Sequence, residues 1–362
     1  MLHLIRLPTY NQDLERILQF QQQFIVFLCS IKTPCYPKET DFEPAFKSEV
    51  AQWFYKWLQK KHKNNPSYYQ LLCQLLDHIS KHPNLRTEII EAFEHDIDFT
   101  NHVADRMFSF SFRKLDSDTQ RLLKLLLVPF YDDLLYTGFN AAIASFDRKQ
   151  FLKIFWNING QLKVCPACDG AGIDINSNDI RCHIDHFFPK ARYPFLAVYA
   201  KNLVPICANC NSSYKGEKDP LVHTYANPLI HTFHPFEKPA LGEIKIIIER
   251  GPKGEKSVHI EEKNGGKSKR IERLNHLFAL ETRWQGRLNA EIDKVVSKIK
   301  NYARRHGQDH ASKREIVTTV LRDLEDDADL LGIEHSYVLR HSYVLYALSN
   351  NDEFEDLVSL LP

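Results

Sequence analysis

The chain has 362 residues, 43% hydrophobic and 26% charged, the composition of a soluble globular protein with room for two or three domains of ordinary size. Lys and Arg (47) nearly cancel Asp and Glu (46), so the net charge of +1 excludes an overall polycation and leaves any basic surface to be local. The opening residues lack the basic, apolar and small-residue segments of a secretion signal, and the early apolar run FIVFLCSI is far shorter than the roughly 20 residues a membrane helix needs. The expectation is a cytoplasmic protein, with no membrane partner, whose eight cysteines are reduced, which makes paired cysteines metal ligands rather than disulfides.

Taken in chain order, residues 1–150 repeat apolar positions at three-to-four spacing, as in AQWFYKWLQ, YYQLLCQLLDHI and TQRLLKLLLVPFYDDLLYTGF. This is the period of amphipathic helices, broken at Pro- and Asn-rich turns, and it predicts a helical N-terminal domain. Trp53, Tyr55 and Trp57 read as core residues of that domain rather than as an aromatic binding surface. Residues 151–225 hold five of the eight cysteines among short stretches punctuated by Gly, Pro and Asn. In residues 226–362, GEIKIIIERGPKGEKSVHIEE alternates around a turn and predicts a β-hairpin, followed by basic and then acidic helices. The expected fold class is α+β, mostly helical.

CPAC sets Cys165 and Cys168 two residues apart, and CANC does the same for Cys207 and Cys210. Each pair suits a knuckle that turns two thiolates to one side, and two knuckles complete a tetrahedral zinc site. Cys29, Cys35, Cys73 and Cys182 lack partners at ligand spacing and are expected to be packing residues.

Between and beside the knuckles lie His183, Asp185, His186, Asn202 and Asn211, in HIDHFFPKARYPFLAVYAKNLVPICANCNSSYKG. This order resembles the HNH endonuclease motif of the ββα-metal superfamily, with Asn-Leu before a CxxCN-x-x-x-K end. DHFFPKARYP is similar to the HNH subunits of bacterial anti-phage systems of the Septu and retron-associated kinds. The resemblance implies a zinc-stapled ββα core, a metal-dependent nuclease acting on nucleic acid, DNA most often, and 5′-phosphate and 3′-hydroxyl products.

Phosphodiester hydrolysis needs an activated water, a cation on the phosphate oxygens and help for the leaving alkoxide. His186 suits the general base, Asp185 a ligand to Mg²⁺ or Mn²⁺, and Asn211 a neutral amide ligand from the helix start. The resemblance implies that Asn202 orients the His186 imidazole. His183 shares a strand face with Asp185 and is either a further metal or phosphate ligand or a structural residue.

Phosphate contacts are expected from Lys190 and Arg192, in the loop between His186 and Asn202, and from Lys215. A second basic stretch runs over residues 294–314, where Lys294, Lys298 and Arg305 share a helical face. No Walker A pattern is present, which suggests an effector served by a separate sensor or ATPase protein. The competing reading is a non-catalytic, zinc-stapled module that binds nucleic acid or protein.

Overall fold

A computed structural model describes residues 1–7, 12–31, 36–61, 66–135, 138–144, 147–176, 179–221, 229–306 and 312–362. Cys35 lies outside the described residues. The fold is mostly helical with small antiparallel hairpins. No helix among the described residues is long and apolar enough to cross a membrane.

Six helices come first: α1 (Gln12–Ser30), α2 (Ser48–Leu58), α3 (Tyr68–Lys81), α4 (Leu85–Ile97), α5 (Ser117–Pro129) and α6 (Arg148–Ile158). Local signals set their starts. Ser67 caps α3 in a reciprocal box with Gln70, and the Asp116 and Asp147 carboxylates accept from the first-turn amides of α5 and α6. The apolar stripes of α1 and α2 meet Phe130, just after α5, in an aromatic cluster in which Phe54 lies 5.0 Å from Phe20 and 5.2 Å from Phe24, ring centre to ring centre. Trp57 is buried against Phe54 and Tyr68, while Trp53 and Tyr55 pack on the margin, as their spacing predicts.

Three short strand pairs follow. β1 (Asp174–Asn176) pairs with β2 (Asp179–Arg181), and β3 (His183–His186) pairs with β4 (Leu203–Ile206) in the register His183 to Ile206 and His186 to Leu203. A π-helical turn over Asn209–Lys215 follows β4, so the expected helix after the second knuckle is one wide turn rather than a regular helix. The expected hairpin forms as β5 (Ile244–Arg250) against β6 (Lys256–Glu262). The chain closes with α7 (Lys269–Phe278), α8 (Leu280–His306), α9 (Lys313–Asp326), α10 (Tyr337–Ser349) and α11 (Asn351–Ser359).

The loop between β3 and β4 is anchored on the helices by rings. Phe188 lies 5.2 Å from Phe99 and 5.0 Å from Phe110, and Phe195 sits between Phe93 and Phe112 at 5.4 and 5.1 Å. Both phenylalanines are fully buried, each contributing about 2–3 kcal/mol of apolar burial. The helical part of the chain thereby fixes the strand pair that carries His183, Asp185 and His186.

Candidate metal and catalytic site

The four cysteines converge. The sulfur atoms of Cys165, Cys168, Cys207 and Cys210 lie within 4.8 Å of one another, and all four residues are buried. The first knuckle closes where the Cys168 amide donates to the Cys165 carbonyl, and sulfur atoms accept from the amides of Cys207 and Cys210. Gly172 lets the chain pass this cluster: its φ is +106°, and a side chain there would meet Cβ of Cys207 at 3.1 Å. The group is positioned to hold one metal ion, and an all-thiolate, water-excluded donor set is compatible with structural zinc. Cys29, Cys73 and Cys182 are buried apart from this cluster, as packing residues should be.

Asp169, directly after the first knuckle, adopts a left-handed φ of 56°, a strained conformation for a residue with a side chain. Its bonds offset that cost. The carboxylate accepts from His3 Nε2 at 2.8 Å and the Val338 amide at 2.9 Å, and its carbonyl accepts from the Ser336 amide. Arg283 of α8 donates to Cys210 Sγ at 3.2 Å and lies over the Tyr214 ring.

Beside the cluster, His183, Asp185, His186 and Asn211 line one cavity of about 370 Å³, together with Tyr131, Asp132, Arg148, Pro189 and Lys190. Asp185 is 4% exposed, with Oδ1 accepting from Lys215 Nζ at 2.9 Å and Oδ2 buried without a hydrogen-bond partner among the described residues. Burial pushes its carboxyl up to about 6, against the opposing charge of Lys215. His186 donates from Nε2 to the Ala197 carbonyl at 2.9 Å, since a carbonyl can only accept, and Nδ1 is left as the acceptor. Burial lowers this imidazole to about 3, helped by the Lys190 charge and opposed by the Ala197 bond, so it is neutral at working pH. Tyr131 meets the ring edge to face at 4.2 Å, and Lys190 lies over Tyr131 while pairing with Asp132.

Asn211 Nδ2 donates to His183 Nδ1 at 3.3 Å at the exposed lip of the cavity, which brings the extra histidine into the constellation. Asn202 is different. Its amide is wholly buried and bonded to both backbone groups of Phe188 and to the Leu196 carbonyl, so it does not touch the imidazole as expected. It braces the loop that presents Ala197, and thus positions His186 through the backbone.

One further expectation needs correction, and the α8 face lies away from the cavity. Lys215 is 1% exposed and binds Asp185 and the His186 carbonyl, so it is an internal counter-ion rather than a surface phosphate contact. Lys294 pairs with Glu291 and Lys298 lies 4.0 Å from Asp327, which reduces the positive face of α8. Lys294 and Arg305 also stand roughly 16 and 33 Å along α8 from Arg283 at the cysteine cluster, by helical rise, and none of this face lines the cavity. Lys190 does line it, and Arg192 pairs at 3.4 Å with Asp219 just outside.

Tyr131 and Asp132 are cavity residues that no sequence signal marked. They come from a π-helical turn over Phe130–Leu135, where the pattern reads as more core.

No known family description and no solved structure matches the chain. A segment of 53 residues is 43% identical to Protein ea31 of Escherichia phage lambda, which is 15% of this chain and 16% of that protein.

Proposed function

We propose that the chain is a divalent-metal-dependent HNH endonuclease that hydrolyses phosphodiester bonds in nucleic acid, DNA foremost. One observation carries the reading: the Asp185 carboxylate reaches the cavity with Oδ2 unclaimed, next to an imidazole held with Nδ1 as acceptor. His186 takes a proton from water at Nδ1, and the Ala197 carbonyl holds the ring as positive charge develops on it. Burial keeps the imidazole in the neutral form that can accept. An orphaned carboxylate oxygen in the same cavity as an amide and a second imidazole is a donor set that would suit Mg²⁺ or Mn²⁺, with Asp185 and Asn211 or His183 as the holding residues, and such an ion would stabilise charge on the phosphate oxygens. Lys215 orients Asp185 from the other side. Structural zinc in the four-cysteine group would fix the strand pair to the turn that bears Asn211.

As the effector of a bacterial anti-phage complex, the enzyme would answer to a separate sensor or ATPase protein. Unregulated cleavage of ordinary DNA by the isolated chain argues against that role.

A second reading draws on the Lys215 ammonium, which already neutralises Asp185 without any metal. In that case the chain is a zinc-stapled binding module. The readings separate when purified protein meets supercoiled plasmid, single-stranded DNA and RNA with Mg²⁺, Mn²⁺ or EDTA, beside His186→Ala. Cleavage that needs the divalent ion and disappears in the variant supports the nuclease; ion-independent binding without cleavage by a zinc-loaded protein supports the module.

A further inference from the structure

The catalytic cavity does not end at its own rim. Ala191 lines it and also lines a second, open groove of about 730 Å³, whose other walls carry Arg113, Ser117, Arg121 and Lys124 together with Arg192. Ser117, Arg121 and Lys124 recur at helical spacing on the outer face of α5, while Leu122, Leu123, Leu126 and Leu127 of the same helix are buried in the core. Among the described residues no acidic side chain lines the groove.

Charge balance favours a polyanion. Arg113 and Arg192 share the single carboxylate of Asp219, and Arg121 reaches Asp118 at 3.4 Å. Lys124 is exposed and has no ion-pair partner among the described residues. Four cations against two carboxylates leave an excess of two, in a chain whose total is +1. Ser117 to Lys124 spans about 10 Å of helix, room for roughly three phosphates at the axial rise of one strand.

We infer that this groove on α5 is the track along which a nucleic-acid backbone enters the cavity, a proposal that rests on the nuclease reading for its direction. Phosphates would lie against Arg121, Lys124 and Arg192, and Ala191 marks the point where the strand passes to His186 and Asp185. This track lies on the N-terminal helical part of the chain, whereas the sequence favours the basic face of α8.

The test measures anisotropy of a short fluorescein-labelled DNA duplex, and of an RNA of equal length, with the full-length protein and no added divalent ion, over a salt series. Arg121→Glu/Lys124→Glu is compared with Lys298→Glu/Arg305→Glu, and Arg121→Gln/Lys124→Gln serves if the reversal disturbs the melting curve. The α5 reversal is expected to weaken binding about tenfold at moderate salt and to reduce the salt slope by about two, for two lost phosphate contacts. Unchanged affinity and slope overturn the inference, as does weakening by the α8 reversal alone or an absence of binding by the natural chain. Cleavage of plasmid by the natural chain with Mg²⁺ is scored separately. Cleavage with binding indifferent to α5 removes the groove and keeps the nuclease, whereas α5-dependent binding without cleavage keeps the groove and removes the nuclease.

Discussion

Lys215 and Asp185 form a buried ion pair at 2.9 Å that leaves one carboxylate oxygen, Oδ2, with no partner among the described residues. Two charges that are 1% and 4% exposed at the side chain depend on each other, because removing either strands the other in a medium that solvates it poorly. Lys215→Met is therefore expected to destabilise the protein by about 3 kcal/mol. Combining it with Asp185→Asn should recover at least about 1 kcal/mol relative to the sum of the single losses. Urea denaturation of the four proteins checks this; additive losses would show that the pair is not coupled.

Cys207→Ser should abolish stoichiometric zinc, measured by elemental analysis of the purified protein, and lower its melting temperature. One metal per chain is the expected content of the natural protein, since the four sulfurs form one group. Full metal content in the variant would move the metal elsewhere.

Asn202→Ala removes hydrogen bonds to Phe188 and Leu196 inside the loop. Leaving those buried backbone groups unpaired costs about 1–3 kcal/mol each, so a stability loss of several kcal/mol is expected in urea. If the amide instead acts on the imidazole directly, activity falls while stability holds.

Asp116 caps α5, the helix that carries Arg121 and Lys124. Burial by itself would raise its carboxyl, but bonds from the Thr119 hydroxyl and amide and from His78 hold it below the ordinary 3.8. A depressed folded value stabilises the protein above the unfolded value and is lost as pH falls through the folded one. Asp116→Ala should thus cost about 1 kcal/mol at neutral pH, with the gap to the natural chain closing below pH 3.8. A constant difference across that range would remove the ionised cap from the account.

The parts of the site that can be read in the sequence are those encoded by short spacing. Two cysteine pairs two residues apart, an Asp-His pair and an alternating hairpin each state their geometry within a few positions, and Cys165, Asp185, His186 and β5 with β6 lie where that spacing implies. Asn202 deceives because an asparagine beside a strand can serve an imidazole or a backbone loop with the same chemistry, and only the path of Phe188 and Leu196 decides. Lys215 deceives for the reverse reason, since a lysine at a helix end is ordinarily solvated and its burial depends on a carboxylate thirty residues earlier in sequence. Tyr131, Asp132, Arg121 and Lys124 are silent in the sequence because the helical pattern that builds them is the same whether the outer face meets water or a ligand.

Asp169 accepts from His3 and from the backbone at Ser336 and Val338, so the turn that leaves the first cysteine pair is braced by segments 166 residues before it and 169 residues after it. On a ribosome, residue 338 emerges long after both cysteine pairs. The left-handed turn has none of its C-terminal bonds until then, so a nascent chain would carry this metal pocket half-supported. Full support of the pocket thereby waits on the segment at residues 336–338, and a chain truncated before α10 should release a metal held there faster than the chain that includes it.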